Sequence, residues 1–420
     1  MKVWVVRDLE PIPTDPDAPR LLRAGMLATA LAKAGHHTTW FTSTFNHYSR
    51  QQRPVGDTVP QPGLTIRILE APGYTRNIGP RRLLHNHLFS RAFVRAATAA
   101  DQRPDVIVAD LPTTDAAAAA IAFAKSHGIP SVLSIRDLWP DFFPSFAPGI
   151  LKPLVSLAVT PLNWQARFAC RYATSLIGIS PGYLEWGQRK GARSRTSLDR
   201  IFPLGFPRPP RIGSIDDDIT RLSQLGIPTD KHIVSFVGSW GRTYDLSLVL
   251  KTARLLADQR HDIVFALAGN AHERPDLARA LATLPNVRLV GWLGADDVAT
   301  LLSHSVIGLL PYAKDAPQGL PNKIYENLAY GALQVATLGE EARNFYESTG
   351  GGVCVPPDDA NVLAATITAN LMAGQNMHLR NQRIAIFNEQ FEASVLYGRM
   401  IDHIAAVAQS NTSETHLQSA

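Results

Sequence analysis

The stretch GLPNKIYENLAYGALQVAT, residues 319 to 337, passes from a loop into a helix and out again into a short apolar strand, QVAT. Pro321 suits the first helical turn, where a missing N–H costs nothing, and Gly319 lets the loop before it come close to a ligand. A helix delivered straight into a short apolar strand is half of an α/β unit. The same alternation runs outward in both directions. Upstream lie HIVSFVG at 232–238, a helix from about Asp245, DIVFALAG at 262–269, VRLVGWL at 287–293 and SVIGLLP at 305–311.

Further upstream, IFPLGFPRPPRIGS at 201–214 interrupts the pattern with four prolines and two glycines and reads as a linker. Before it the cycle has already run once. MKVWVV is a buried first strand; Leu22, Met26, Leu27, Ala30 and Leu31 share one helical face; DVIVA, an alanine-rich helix near 115–126, SVLSI and SLIGIS follow. Two parallel-sheet α/β domains in series are expected, with sites where the carboxyl ends of strands face a cleft between them. Boundaries are set at 1–205, 206–380 and 381–408, the last for helices returning to the first domain. A polar tail at 409–420 is expected to fray.

Composition narrows the classes. The chain has 420 residues, 45% hydrophobic, with a formal charge of +5, modest for this length and no argument for nucleic acid. Cys170 and Cys354 lie far apart and no secretory signal is seen, so a reducing cytoplasmic setting is expected. No run reaches the roughly 18 apolar residues of a membrane span. GILKPLVSLAVTPLNW, residues 149–164, preceded by Arg76, Arg81, Arg82, Arg91 and Arg95, can offer an apolar patch with a basic rim to the anionic inner face of a membrane. The other reading is a helix packed within its own domain and arginines that are simply solvated.

Lys323 carries the chemistry. In the first helical turn its charge opposes the helix dipole, a penalty that a bound anion reverses. Glu326 shares its face, and a carboxylate there accepts hydrogen bonds from a vicinal diol. The pair therefore reads as phosphate plus ribose along one nucleotide. A solvated turn, or an intrahelical Lys323–Glu326 ion pair worth a few tenths of a kcal/mol, is the competing reading.

Three strand ends in the same domain supply the remaining walls. FVGSWGRTYDL brings Gly238 and Gly241 for close backbone approach, with Ser239 in the turn and Arg242 within reach of a second phosphate. It is neither GxGxxG nor a P-loop. LAGNAH contributes Gly269 and His272, and VGWLGADDV contributes Gly291 and Trp292, as walls for a base. Gly319 and Leu320 close the loop beside Lys323. In the first domain SIRDLWPDFF places Arg136 and Asp137 at a strand's carboxyl end as catalytic candidates, Arg136 to meet a departing phosphate or orient an acceptor; Asp137 holding Arg136 or capping the next element is the other reading. His36 and His37 read as structural, and His85 and His87 as members of an arginine-rich helix facing a membrane. No histidine or cysteine spacing suggests a metal, and none is expected.

With AKAGHHTTWFTSTFNH, SIRDLWPD, FVGSWG, GLPNKIYENLAYGALQVAT and GGVCVPPDDANVLAATI in view, the chain resembles glycosyltransferase family 4, the retaining enzymes of GT-B fold, over essentially its full length. The resemblance implies a nucleotide-sugar donor and no metal. It implies a glutamate pair separated by seven residues, the second by the ribose and the first by the transferred sugar. Glu326 matches the second; the first falls on Gln318, which can bond sugar hydroxyls but carries no charge. Arg136 stands where many relatives have histidine, as in the subgroup similar to fucosamine and other surface-polysaccharide transferases. The resemblance thus implies transfer from a UDP-sugar to a lipid-linked or saccharide acceptor in bacterial surface polysaccharide or lipopolysaccharide synthesis. A GT-B-like UDP-sugar 2-epimerase and a catalytically weak nucleotide-sugar-binding protein are the alternatives.

Overall fold

The computed structural model describes residues 1–16, 20–209, 214–316 and 319–417. The chain divides into two units, Met1–Pro203 with Leu396–Ala420, and Leu204–Val395.

The first unit is built on strands β1 (Lys2–Val6), β2 (His37–Ser43), β3 (Gly56–Gln61), β4 (Leu64–Leu69), β5 (Val106–Leu111), β6 (Ser131–Ile135), β7 (Ser175–Gly178) and β8 (Arg200–Ile201), in sheet order β3-β4-β2-β1-β5-β6-β7-β8. All neighbours are parallel except β3, which pairs antiparallel with β4 at one edge. That hairpin is absent from the sequence reading: GDTVPQ is mostly exposed and carries a proline, so no apolar run marks it. The central strands are buried along their whole length, as helix-covered parallel strands must be. Trp4, Phe41, Phe93 and Phe123 interlock above them, Phe41 edge-on to Phe93 at 5.2 Å.

The second unit's sheet comprises β9 (His232–Val237), β10 (Ile263–Ala268), β11 (Val287–Gly291), β12 (Ser305–Leu310), β13 (Leu333–Ala336) and β14 (Gly352–Cys354), all parallel, in order β11-β10-β9-β12-β13-β14. Counted from its own first strand this is the order 3-2-1-4-5-6, whose direction reverses between β9 and β12. A crevice opens outside the carboxyl ends at such a reversal. Helices start on side-chain caps where the loops are short: Asp245 accepts from the Ser247 and Leu248 amides ahead of Leu246–Ala257, and Asp359 does the same ahead of Ala360–Gln375.

Two boundaries differ from the sequence reading. The return to the first unit begins at Leu396 and not at 381, because the helix Met377–Gln390 is tied into the second unit. Its Arg380 donates to the Leu302 and Ser305 carbonyls, its Arg383 to the Gly331 carbonyl, and Phe387 packs with Tyr325 and Leu328. These arginines are buried donors that hold the helix on the second unit. The final helix, Ala393–Leu417, carries its backbone through much of the tail expected to fray.

Candidate nucleotide and acceptor sites

At the carboxyl edge of the second sheet, the turns after β9, β10 and β11 are laced together by backbone. The Gly238 amide donates to the Ala268 carbonyl at 3.2 Å and the Gly269 amide to the Gly291 carbonyl at 2.7 Å. Gly269 has φ +137°, and a Cβ there would lie 2.0 Å from the Gly238 carbonyl oxygen. Only glycine fits. Ser239, Arg242 and His272 stand exposed on these turns, and Trp292 is 81% exposed. Gly241 is open on the same turn, a Cβ at that position coming no closer than 3.7 Å to Glu273.

The helix Asn322–Ala329 is pinned against β12 by Gly308, where a Cβ would fall 2.1 Å from Asn327 Oδ1. Asn327 Nδ2 also donates to the Lys323 carbonyl at 2.8 Å. A glycine inside the apolar run SVIGLLP signals such close approach and could have been read from the sequence. Lys323 and Glu326 form the intrahelical pair, Nζ to Oε2 at 2.5 Å, with side chains 26% and 12% exposed. Tyr244 and Tyr312, on the turns after β9 and β12, join hydroxyls at 3.0 Å. Burial raises both phenols above their ordinary range, and the Glu326 charge adds to it. These tyrosines were missed because nothing local distinguishes them from core aromatics.

Gly319 and Leu320 lead into this helix, and Glu341 from the helix Glu340–Thr349 crowds the loop: a Cβ on Gly319 would lie 1.8 Å from its Oε2. Gln318 lies outside the described residues.

In the first unit Arg136 and Asp137 do follow β6, but Asp137 does not hold Arg136. Arg136 Nη1 meets Glu10 Oε1 at 2.6 Å and Asp110 Oδ2 at 3.4 Å. Glu10 also accepts from the Ala24 amide at 2.9 Å. Burial alone would raise the Glu10 carboxyl; Arg136 and Arg7 outweigh it and hold the group below its ordinary value. Asp137 accepts from the adjacent Leu138 amide at 2.8 Å and does not cap the next helical turn, Phe143–Phe146, whose N-cap is Phe142; burial pushes its carboxyl up despite nearby arginines. His85 is not on an outer face: it is fully buried, with Nε2 3.4 Å from Asp8 Oδ2, and Arg82, expected on a basic rim, is turned inward with it. In both cases periodicity placed the helix but not its buried side.

Among the described residues no group of three or more histidines, cysteines or carboxylates is placed to hold a metal ion, and no helix is long and apolar enough to cross a membrane.

Known proteins fit this geometry. Residues 22–198 match the family model "Glycosyl transferase 4-like domain" and residues 231–372 match "Glycosyl transferases group 1", so the two models fall one on each unit and together take in most of the chain. A curated relative in Escherichia coli K12, described as "Putative colanic acid biosynthesis glycosyl transferase WcaI", is 25% identical over 304 residues, 70% of this chain and 72% of its own. Anabaena HepE, solved in complex with UDP, superposes with a TM-score of 0.65 at 14% identity, over 97% of this chain and 100% of that one. WaaG, a glycosyltransferase involved in lipopolysaccharide biosynthesis, gives 0.63 at 14% identity, over 96% and 99%. With the two-sheet architecture, the reversal of strand order and both family matches in agreement, the chain belongs to the family-4 type glycosyltransferases of GT-B fold and is a glycosyl-transferring enzyme.

Proposed function

We propose that the protein moves a sugar from a UDP-linked donor, with retention and without a metal, onto a hydroxyl of a lipid-linked or saccharide acceptor in the assembly of a bacterial surface polysaccharide. The observation that carries the donor half is Lys323 and Glu326 on one face of a helix start beside glycine-only turns. A diphosphate takes Lys323, Arg242 and the free N–H groups of the first helical turn; ribose hydroxyls take Glu326. UDP bound to HepE supports uridine, and the descriptions of WcaI and WaaG support polysaccharide assembly.

Transfer runs on the front face. The acceptor oxygen bonds to the anomeric carbon as the bond from that carbon to the β-phosphate oxygen breaks, and the acceptor proton passes to a β-phosphate oxygen. Lys323, Arg242 and backbone N–H groups stabilise the leaving charge. Arg136 and Asp137 are assigned to positioning the acceptor hydroxyl. Calorimetric titration with UDP and GDP tests the donor site: UDP should bind saturably, and Glu326→Ala should weaken it by about tenfold or more, the worth of one charged hydrogen bond. No binding of either nucleotide by folded protein removes the donor assignment; preference for GDP redirects it to guanosine-linked sugars.

The acceptor half rests on an exposed apolar face. Ile150, Leu154, Leu157 and Trp164 are 90%, 63%, 70% and 67% exposed, with Lys152 and Arg167 exposed beside them in sequence. Such a face suits the boundary of an anionic bilayer, where lipid-linked acceptors lie. The protein should float with phosphatidylglycerol vesicles, and Leu154→Ser with Leu157→Ser should cut the bound fraction's partition coefficient by at least about tenfold, the loss of two buried leucines. Failure of the unaltered protein to float argues for a soluble saccharide acceptor.

A further inference from the structure

The first sheet has its own reversal of strand order, between β1 and β5, and charged residues of both signs gather at that edge. Arg7 directly follows β1. It is 7% exposed, yet its Nε and Nη1 have no hydrogen-bond partner; the nearest carboxylate oxygen, Glu10 Oε1, is 3.4 Å from Nε and already engaged by Arg136. Asp8 is close enough that, against burial, His85 and then the Arg7 charge help lower its carboxyl, but it makes no hydrogen bond to Arg7 Nε or Nη1; Thr113 donates to Asp8 Oδ1 at 2.7 Å and His85 Nε2 lies 3.4 Å from Oδ2.

Two more guanidiniums gather nearby. Arg82, 8% exposed, lies 4.2 Å over the Trp139 ring and 5.7 Å from that of Tyr74; it donates from Nη1 to the Asn77 carbonyl, and its Nε is unpartnered. Arg50, exposed and at φ +60°, lies 5.4 Å from the other reach of Tyr74 and donates to Asn77 Oδ1. The Tyr74 hydroxyl meets His47 Nδ1 at 2.8 Å. Burial and then Arg82, Arg50 and Arg7 push the His47 imidazole down to about 4, so it is a neutral donor or acceptor at pH 7. Neighbouring arginines show what a charge-balanced guanidinium looks like here. Arg53 is closed off by Asp15 with two hydrogen bonds, and Arg136 by Glu10 and Asp110.

A buried guanidinium whose N–H groups find no acceptor is costly even where a shared carboxylate lies nearby. Its retention at a switch point, beside two further arginines and two neutral polar groups, calls for a multiply charged anion with several acceptor oxygens. A single carboxylate would satisfy one fork and leave the others.

We infer that Arg7, Arg50 and Arg82, around Tyr74 and His47, form an anion subsite in the first unit that takes a phosphoryl or diphosphoryl group carried by the acceptor. The inference rests on the glycosyltransferase reading above for the word acceptor, and on the first unit alone for the site. It narrows the acceptor to a phosphorylated one, whether a lipid-linked diphosphate or a soluble sugar phosphate.

The test is calorimetric titration of inorganic pyrophosphate into full-length protein first saturated with UDP, which removes the nucleotide site from competition. Saturable binding is expected, weakened at least about tenfold by Arg50→Ala and by Arg82→Gln, each a loss of a charged contact of roughly 1.4 kcal/mol or more. UDP affinity should not change in either variant, and Arg67→Ala, which breaks an exposed pair with Asp57, should alter neither. Arg50 is exposed, so its variant tests the subsite even if Arg82→Gln fails to fold. If UDP binds and pyrophosphate does not, or both variants bind pyrophosphate as the unaltered protein does, the subsite is overturned while the donor site stands. If UDP does not bind, pyrophosphate is titrated alone: binding lost in Arg50→Ala keeps the subsite without the donor site, and binding retained in it overturns the subsite. Farnesyl diphosphate and glucose 1-phosphate, titrated in turn, separate the sources: tighter binding of the first supports a lipid carrier, of the second a soluble sugar phosphate, and binding of neither overturns the assignment to an acceptor.

Discussion

Arg136→Ala should destabilise the first unit by about 3–5 kcal/mol, the cost of stranding one half of a buried ion pair. Glu10 is 1% exposed, and without Arg136 it keeps only the Ala24 amide and Arg7 at 3.4 Å. Since a whole domain is stable by roughly 5–15 kcal/mol, urea denaturation at pH 7 should show a large fall in midpoint. Adding Glu10→Ala to the same chain should return part of the loss, because the stranded carboxylate goes with it. A double variant as unstable as the sum of both single variants would show that Arg136 matters for some other reason.

The pH dependence has a definite sign. The folded Glu10 carboxyl is held below its ordinary value of 4.5, so its contribution is fully present above that pH and is lost as pH falls through the lowered folded value. In Arg136→Ala burial becomes the dominant influence and the carboxyl rises instead. The gap between the two proteins should therefore be widest near neutrality and narrow below about pH 4.

Lys323→Ala should cut steady-state transfer by at least about tenfold, equivalent to roughly 1.4 kcal/mol of transition-state stabilisation. In the proposed mechanism the loss falls on kcat/KM, since Lys323 is assigned to the donor diphosphate and to the charge that develops as it leaves. Stability should hardly move. Removing a cation from the first helical turn relieves an unfavourable dipole interaction, while losing the pair to Glu326 costs a few tenths of a kcal/mol. Unchanged kinetics would take Lys323 out of the mechanism. A tenfold loss of activity accompanied by an equally large loss of stability would make its pairing with Glu326 a structural device.

What the sequence disclosed follows the range of its interactions. The strands HIVSFV, IVFALA and SVIGLL and the shared face of Lys323 and Glu326 are local facts, written in period and spacing, and they were legible. Glu10 and Arg136 were not joined, because they meet only after β1, β5 and β6 lie side by side. The same holds for Asp8 with His85, and for Tyr244 with Tyr312. The anchoring of the helix Met377–Gln390 by Arg380 and Arg383 was not legible, because the carbonyls that receive them lie far off in sequence. The edge strand β3 escaped for the opposite reason, having too little apolar surface to announce itself.

The last helix has a consequence for how the molecule is made. Leu396, Tyr397, Met400, Ile404 and Val407 are buried, and His403 Nε2 reaches Ser175 Oγ at 3.0 Å within the first unit. The part of the chain that leaves the ribosome first is thus the part completed last. Until the final residues emerge, the nascent first unit must persist with the seat of that helix uncovered, while the second unit, continuous in sequence, can close ahead of it. A ribosome that stops short of Leu396 would release a finished second unit attached to an unfinished first.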